Sequence, residues 1–597
     1  MERFAHRLRK NANGELPSEF IFVDTETSAT TSSDGSEHHT LAFGWACYTR
    51  VRRDRGRERT TADWFRFETI KEYWDWVETK TRPKTKLYML AHNWGFDGAI
   101  LALDREIPDR GWDISLWISG SSPPTIIKAR KNRSTIIVVD TLNWFRSSLA
   151  DLGDSVGIEK LEMPDASDTE AFDTYCKRDV EVIREAVLKL REFVRSEDLG
   201  NFQPTIAGQA FTAWRHKHMR TDVYVHANKR VLEGERDAYS GGRTSVFRLG
   251  KIPGDAYVLD VNSLYPSEMA IHDFPTNLLS TAHNPSIREL AGTLERMCVI
   301  ARCTLTTDED AYVHRTPERI LFPVGTFTAT LTTPELIYAF EHNHIDSVSD
   351  MYVYDKAPLF KSFVHDLYAA RQRYKRAGDK AFQFMCKMVM NSLYGKFGQK
   401  AMRFETIRKA YPGEPPELLV QDGENDPVVH YRVRAGMLQR LNKGEEGRDS
   451  IPSIAAHVTA YGRMRLLALM NIASRENVYY CDTDSLFVNT EGFDALMDEM
   501  SETRLGALKL ESVTDDLEIF GPKDYRLGAV EKIKGVRKNA VQLGIGRYQQ
   551  AQFRSWNQGL KQGETGEVVI STIDKTMSRE FKQGTVADSG RVEPFLI

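Results

Sequence analysis

Apolar residues along the chain form short runs with strand-like composition, and several of these runs end in acidic residues. The run Phe20-Ile-Phe-Val is followed by Asp24 and Glu26. Because a strand alternates its side chains between two faces, both carboxylates are predicted on one face at the C-terminal end of a buried strand. A second strand is predicted up to His92-Asn93, followed by a turn and a helix that begins at Asp97.

Helical spacing characterises other parts of the chain. Around residues 174–184 it places Tyr175 and Asp179 at i and i+4 on one face, and an amphipathic helix is predicted on to Leu199. The segment from 369 to 400 is also predicted to be helical. There Lys387, Asn391 and Tyr394 share one stripe at i, i+4 and i+7, and Lys375 lies about three turns earlier. Residues 453–467 predict a further helix.

A hairpin is predicted at residues 477–489, where β-branched and aromatic arms flank Asp482-Thr-Asp484-Ser. In isolation this pattern is more typical of a plain Asp-rich turn. Carboxylates between apolar arms nevertheless favour a compensating cation, and Mg²⁺ accepts one or two carboxylates together with substrate phosphates. Another predicted strand, residues 256–259, delivers Asp260 at its end.

Length and composition bound the class of protein. The 597 residues predict about three to five domains, and 41% hydrophobic with 27% charged residues is typical of a soluble globular protein. No apolar run is long enough to span a membrane, and the first residues lack the apolar core of a signal peptide. Six cysteines without metal-site spacing indicate reduced thiols and a cytoplasmic location, the host cytoplasm for a viral protein. The net charge of −4 does not by itself indicate nucleic acid.

Each of the upstream acids, taken alone, can also be explained by an ordinary structural role: Asp179 suits a helix surface, and Asp97 suits an N-cap. Together, at a strand end, a turn and a helix, Asp24, Glu26, Asp97 and Asp179 suffice to hold two divalent ions. Such a pair drives in-line attack of water on a phosphodiester, and Tyr175 can orient that water.

The three motifs Asp24-x-Glu26, Asn93-x-x-Phe96-Asp97 and Tyr175-x-x-x-Asp179 resemble those of DEDD-type 3′–5′ exonucleases with a tyrosine. The resemblance implies that the four acids are metal ligands. It further implies a catalytic assistant in Lys160 and contacts to the frayed primer end from the following residues: Thr27, Asn93, Phe96, Thr141 and Leu142. Taken alone, the patterns at Thr141-Leu142 and Lys160 are equally well explained as ordinary residues.

Downstream, ordered motifs resemble family B DNA polymerases. They are Tyr239-x-Gly241-Gly242, Asp260-x-x-Ser-Leu-Tyr265-Pro, Lys387-x-x-x-Asn391-Ser-x-Tyr394-Gly, Thr459-x-x-Gly-Arg463, the Asp482–Asp484 hairpin and Lys523-x-Tyr525, followed by basic residues Lys532 and Lys534. A Gly-Gly pair is usually an ordinary turn, and only its place between the acid clusters favours this interpretation.

The resemblance implies two Mg²⁺ or Mn²⁺ ions per active site. In the polymerase site they would be held by Asp260, the Val261 backbone and Asp482, with Asp484 in a supporting role. Tyr265 would lie under the sugar and reject a 2′-hydroxyl by clash. Nucleotide contacts are assigned to Val261, Tyr265, Lys375, Lys387, Asn391 and Tyr394; Arg371, Arg373 and Arg376 compete with Lys375. DNA contacts are assigned to Tyr239, Gly241, Gly242, Thr459, Arg463, Lys523, Tyr525, Lys532 and Lys534.

The expected fold is α/β multidomain: an RNase H-like exonuclease domain, then a right-hand polymerase of palm, fingers and thumb with two insertions. The predicted boundaries are exonuclease 1–200, linker and first palm part 201–270, first insertion 271–359, fingers 360–398, second insertion 399–451, second palm part 452–528 and thumb with C-terminus 529–597. Turn residues alternating with β-prone runs predict a β-hairpin in the second insertion, with turns at 412–416, 422–427 and 443–447.

Two such insertions are similar to those of protein-primed family B members from linear-genome phages, adenoviruses and linear plasmids. The resemblance implies a proofreading DNA polymerase with strand displacement, whose partners are template-primer DNA, dNTPs, a terminal protein and a single-stranded DNA-binding protein. One insertion would bind the terminal protein, and the other would encircle the template. Two alternatives stay open: a family B polymerase that extends ordinary nucleic-acid primers, and a non-catalytic replication factor on a polymerase scaffold. The acids present at every catalytic position argue against the second.

Overall fold

The structure is a computed structural model that describes residues 3–54, 57–119, 124–165, 168–400, 403–421, 428–442 and 446–597. Two predicted turns of the second insertion, at 422–427 and 443–445, lie outside these residues. Among the described helices, none has the length and hydropathy needed to cross a bilayer. All six cysteines are buried and none forms a disulfide.

The N-terminal part is built on a mixed sheet whose central strands are parallel. The neighbouring strands Glu19–Thr31, Lys86–Ala91 and Ser134–Asp140 pair in parallel. The further strands are Glu37–Asp54, Arg57–Phe67, Asp113–Ile118 and Ile126–Lys131, and the helices are Ile70–Lys80, Trp94–Ile100, Leu103–Asp109, Leu149–Val156 and Thr169–Ser196. The first strand does not end at the acids, as the sequence predicts, but runs on past Glu26 to Thr31 because it pairs with Glu37–Asp54 along its whole length.

Alternation along that first strand builds two cores. Phe20 and Phe22 pack with the long helix Thr169–Ser196 and with the helices of the next domain, whereas Ile21 and Val23 face Trp74 and the outer helices. Buried continuous runs of this kind are typical of strands covered on both faces.

A second sheet, antiparallel throughout, carries the downstream acids. Its strand order is Thr244–Val246, Val478–Asp482, Ser485–Val488, Ala256–Val261, Leu508–Thr514. Its helices are Leu264–Ile271, Pro452–Ala473 and Thr490–Ala495, and the approach to it contains Ile206–Ala213, a π-helix at Trp214–His218 and Lys229–Ala238. A neighbouring sheet has the order Gly250–Ile252, Leu517–Gly521, Asp524–Leu527, Val530–Lys532.

Both insertions form antiparallel sheets. The first has the order Phe274–His283, Ile345–Ala357, Cys298–Thr307, Gly325–Thr332, with helices Ile287–Leu294 and Thr333–Glu341 and short strands His314–Arg315 and Ile320–Leu321. The second has the order Arg403–Lys409, Met437–Asn442, Val429–Arg434, Glu417–Val420, so the predicted hairpin is present and has two further strands beside it.

The segment predicted as one helix from 369 to 400 is a pair of packed helices, Lys361–Ala377 and Lys380–Phe397. Gly378 ends the first helix with a positive φ of 74°, a conformation that glycine adopts without strain. Lys375 therefore lies in the last turn of the first helix and not on the helix of Lys387, which corrects the expected three-turn spacing.

The C-terminal residues join the N-terminal sheet. Strands Val541–Gly544, Arg547–Phe553 and Glu567–Thr576 extend it through pairing of the last strand with residues 37–40, and helix Trp556–Gln562 packs on helix Trp94–Ile100. The short strands Thr585–Val586 and Val592–Glu593 pair with each other, and His6–Arg7 pairs with Tyr224–Val225.

Candidate active sites

Three elements bring the four upstream acids together. The strand Glu19–Thr31 supplies Asp24 and Glu26, the helix Trp94–Ile100 supplies Asp97, and the helix Thr169–Ser196 supplies Asp179. Carboxylate oxygens of Asp24 and Glu26 and the Cys176 sulfur all lie within 4.8 Å of one another. The predicted convergence is therefore present in the structure.

Burial and mutual repulsion raise the pKa values of the carboxylates in this cluster. Burial, together with the carboxylates of Asp97, Asp179 and Glu26, raises the pKa of Asp24 well above its usual range. Burial and Asp179 raise the pKa of Glu26 to about 7. Burial also raises the pKa of Asp97 to about 7, against a hydrogen bond of 2.8 Å that Thr25 Oγ1 donates to it. Carboxylates crowded in this way are stabilised by a bound cation.

Lys160 and Tyr175 belong to the same site. The Lys160 ammonium donates a hydrogen bond of 2.8 Å to the Tyr175 hydroxyl and forms an ion pair with one oxygen of Asp179. The other oxygen, Asp179 Oδ1, is buried with no hydrogen-bond partner among the described residues, which suits a carboxylate that ligates a metal. Lys160, a weak signal in the sequence, therefore contacts two of the residues that the resemblance assigns to the same site.

The residues assigned to contacts with the frayed primer end differ in their exposure to solvent. Asn93 is exposed at the turn before Asp97 with a left-handed φ of 88°, and the Asp140 carboxylate holds that turn by accepting its backbone N–H at 3.0 Å. Thr27 is half-buried and its Oγ1 lies 3.0 Å from His39 Nδ1.

Thr141 is fully buried, and its hydroxyl donates a hydrogen bond of 3.1 Å to the Ala91 carbonyl. The expectation that its side chain contacts DNA is therefore corrected. Its half-buried neighbour Leu142 and the half-buried Phe96 remain near the turn, and the Phe96 ring packs 6.1 Å from that of Phe553.

The downstream acids meet at one end of the antiparallel sheet. Val478–Asp482 and Ser485–Val488 form the predicted hairpin, whose tip is Thr483 and Asp484, and Asp260 pairs with Ser485 on the adjacent strand. Burial and the carboxylates of Asp484 and Glu511 raise the pKa of Asp260 to about 7. Glu511, on the edge strand, gives no signal in the sequence.

The ranking of the two hairpin aspartates is revised. Asp482 turns toward the opposite edge of the sheet, where Thr244 Oγ1 donates to it at 3.0 Å and Lys523 Nζ lies 3.3 Å away. Asp484 is the hairpin carboxylate that raises the pKa of Asp260, and its carbonyl accepts from Val261 N at 2.8 Å. The structure therefore favours Asp484 over Asp482 as the closer partner of Asp260.

The predicted stripe of Lys387, Asn391 and Tyr394 faces this acid cluster. The Lys387 ammonium acts electrostatically on both Asp260 and Asp484. Asn391 Oδ1 is buried with no hydrogen-bond partner among the described residues, which leaves it available to a ligand donor. The ring of Tyr394 lies 4.7 Å from that of Tyr265. Lys375, by contrast, is exposed in the last turn of the other helix.

Thr459 and Arg463 are buried and do not present side chains to a DNA strand, contrary to expectation. The Thr459 hydroxyl donates back to carbonyls of its own helix. Arg463 donates to the carbonyls of Ser240 and Gly241 at 3.0 and 2.9 Å. We therefore assign Arg463 to supporting the Gly-Gly loop.

The remaining residues assigned to DNA contacts, Tyr525, Lys532 and Lys534, lie in the neighbouring sheet and just beyond it. The Tyr525 ring packs 5.3 Å from Phe487, and Lys532 Nζ lies 5.4 Å from the centre of the Tyr525 ring. Lys532 and Lys534 are exposed. Exposed cations in this position suit contacts to phosphates.

Comparisons with known proteins find similar sequences and a similar fold. Residues 158–414 match the family described as DNA polymerase type B, organellar and viral. A probable DNA polymerase of Ascobolus immersus is 29% identical over 302 residues, which are 49% of this chain and 24% of that protein. The DNA-directed DNA polymerase of Enterobacteria phage PRD1 is 25% identical, over 57% of each chain. The resemblance to type B DNA polymerases is confirmed.

Similarity to a solved polymerase fold extends over most of the chain. A solved structure of phi29 DNA polymerase with primer-template DNA and incoming nucleotide superimposes with a TM-score of 0.67 at 17% identity. It covers 94% of this chain and 100% of that one. The expected α/β multidomain fold is confirmed. The chain spans less than two-fifths of the Ascobolus and Kluyveromyces lactis relatives (24% and 36%).

Proposed function

We propose that this protein is a DNA-directed DNA polymerase with a separate 3′–5′ exonuclease site. The observation that carries the proposal is the meeting of Asp260 with the Asp482–Asp484 hairpin on adjacent strands, opposite the stripe of Lys387, Asn391 and Tyr394. A binding protein on an inactive scaffold has no need of two separate clusters of acids with raised pKa values.

The polymerase acids fit a pair of Mg²⁺ or Mn²⁺ ions. Asp260, Asp484, Asp482 and the Val261 backbone would hold them, and the raised pKa values of Asp260 and Asp484 mark the excess of negative charge that a cation would compensate. When bound, such ions activate the primer 3′-oxygen and stabilise the departing pyrophosphate.

The surrounding side chains would select and align the nucleotide. Lys387 neutralises triphosphate charge as the 3′-oxygen displaces pyrophosphate from the α-phosphorus. Asn391 offers its free amide oxygen, and the packed rings of Tyr394 and Tyr265 form a platform under the base and sugar. The Tyr265 ring excludes a 2′-hydroxyl, so the substrate is a deoxynucleotide.

In the exonuclease site Asp24, Glu26, Asp97 and Asp179 would hold a second pair of ions. Tyr175 would orient the attacking water, and Lys160 fixes the Tyr175 hydroxyl through the hydrogen bond of 2.8 Å. The two sites are carried by different sheets, which supports independent synthesis and proofreading.

Protein priming with strand displacement is part of the proposal. It is supported by the two insertions, at 271–359 and 399–451, and by the relatives from phages. The proposed partners are template-primer DNA, dNTPs, a terminal protein and a single-stranded DNA-binding protein. The proposed location is the cytoplasm, of the host if the protein is viral.

Single substitutions in each cluster test the two-site proposal. Asp484→Ala and Asp482→Ala should each reduce primer extension by at least a hundredfold while sparing degradation of single-stranded 3′ ends. Asp24→Ala with Glu26→Ala should do the reverse. Unchanged extension by both hairpin variants would refute the polymerase assignment, and loss of both activities from either cluster would refute the two-site proposal.

Labelled dNTP with a candidate terminal protein tests the priming mode. Protein priming predicts a covalent protein–nucleotide adduct that depends on Asp484. Extension of oligonucleotides without any adduct would favour the alternative, a type B polymerase that uses ordinary nucleic-acid primers.

A further inference from the structure

Three side chains of the first insertion are linked to the Gly-Gly loop, residues 239–243: two contact the loop directly and one does so through Arg463. The first is Arg315, whose guanidinium donates to the Tyr239 carbonyl at 2.8 Å and to Ser240 Oγ at 3.0 Å. Arg315 is itself exposed, so this contact contributes little to the core. It joins an edge of the insertion directly to the loop backbone.

The second contact is a buried charge cluster. Asp310 accepts hydrogen bonds from Arg243 through its carboxylate and through its carbonyl, the latter at 2.7 Å. Arg475 forms an ion pair with the same carboxylate. Arg243 is only 1% exposed, so Asp310 supplies the charge that permits a guanidinium to be buried at the end of the loop.

The third contact runs through the helix Pro452–Ala473. Glu335, at the start of the insertion helix Thr333–Glu341, accepts from Arg463 at 2.6 Å, and both side chains are almost fully buried. Arg463 in turn donates to the Ser240 and Gly241 carbonyls. Two of these links therefore end on the Gly-Gly loop itself, and the third reaches the loop backbone through Arg463.

That loop touches the reacting groups. The Arg243 carbonyl accepts from Thr483 N at 2.7 Å, at the tip of the catalytic hairpin. A Cβ added to Gly242 would lie 2.7 Å from Tyr265 Oη and 2.8 Å from Thr483 Cγ2. The loop therefore packs without spare room against both the hairpin and the tyrosine under the sugar.

We propose that Asp310, Arg315 and Glu335 are positioning residues for nucleotide addition, through which the first insertion fixes the Gly-Gly loop against the hairpin. The proposal rests on the proposed polymerase function. It extends that function by giving the insertion a part in the chemistry besides docking.

The test compares Arg315→Ala with Arg288→Ala. Both arginines are exposed on the insertion, and Arg288 has no hydrogen bond to the loop. Arg315→Ala should lower kcat for primer extension on the order of tenfold, because small misplacements of reacting groups are costly. KM for dNTP should change less, and 3′-end degradation should stay at the wild-type rate. Arg315→Lys, which can still donate to a carbonyl, should recover part of the loss.

Asp310→Asn provides a second, more disruptive variant. It should accelerate hydrogen exchange at the backbone amides of residues 240–243 and 483, a readout that does not depend on activity. Wild-type kcat and unchanged exchange in both variants would overturn the proposal, as would equal loss of extension and degradation. A wild-type protein without any primer extension would instead overturn the proposed polymerase function, and this inference with it.

Discussion

The most direct consequence of the acid clusters is that the metal-free protein is less stable at high pH than at low pH. Asp97 shows the effect most clearly because it is 4% exposed and burial raises its pKa to about 7 from 3.8. A carboxyl whose pKa is higher in the folded protein binds its proton more tightly there. Its stabilising contribution is complete below about pH 4 and is lost as the pH rises through 7.

The size of the effect on the free energy of unfolding follows from the pKa shift of Asp97. About three pKa units correspond to about 4 kcal/mol between pH 4 and pH 8, which is on the order of 10 °C in the melting temperature of a domain of this size. Asp97→Asn removes the charge but keeps an oxygen that accepts from Thr25 Oγ1. In EDTA the variant should therefore melt well above the wild type at pH 8 and close to it at pH 5.

The assay is differential scanning fluorimetry from pH 5 to pH 8, with EDTA or with excess Mg²⁺. Divalent ions should raise the wild-type melting temperature much more at pH 8 than at pH 5, since protonated carboxyls bind metal poorly. Asp113→Asn, which alters an exposed aspartate of the same domain, is the control. An Asp97→Asn variant that is equally destabilised at both pH values would refute the reasoning.

Three further outcomes are expected. Lys160→Met, which deprives Asp179 and Tyr175 of their cation, should slow 3′-end degradation on the order of tenfold or more and leave primer extension unchanged in a gel assay. Gly242→Ala should lower kcat for extension by about tenfold in single-turnover kinetics, since its Cβ would press on Tyr265 and Thr483; wild-type kcat would show that the loop can retreat. Binding of primer-template DNA, followed by fluorescence anisotropy, should weaken steeply between 50 and 200 mM salt because exposed cations contact phosphates; a flat response would contradict those contacts.

Local signals account for what the sequence could predict. The acid-tipped hairpin, the helix that bears Tyr175 and Asp179, and the stripe of Lys387, Asn391 and Tyr394 each depend on residues within a few turns of one another. For such segments the apolar period and the turn residues determine the element.

Features that depend on pairing between distant strands could not be predicted from such local signals. Asp484 rather than Asp482 faces Asp260 because Thr244–Val246 pairs on one side of the hairpin and Ala256–Val261 on the other. Likewise, Thr141 and Arg463 are buried by neighbours far along the chain, and the residue types Thr and Arg do not by themselves predict burial. The break within residues 369–400 has two local signals that contradict a single helix: Gly378, which ends the first helix, and Asp379, which caps the second.

The packing of the C-terminal strands on the N-terminal sheet is the feature of the fold that the sequence predicts least, and it bears on the proposed function. They lie more than 500 residues from the strand they extend, yet they pack on the helix that carries Asp97: a Cβ at Gly98 would lie 3.1 Å from the Trp556 ring, and Gly566 N donates to the Ala99 carbonyl at 3.0 Å. The segment just before them holds the exposed cations Lys532 and Lys534. One continuous piece of chain therefore joins the exposed cations Lys532 and Lys534 to the helix that carries Asp97, a residue of the proposed exonuclease site. In the proposed function, this piece of chain contributes both to the surface that contacts the primer backbone and to the support of the proofreading acids.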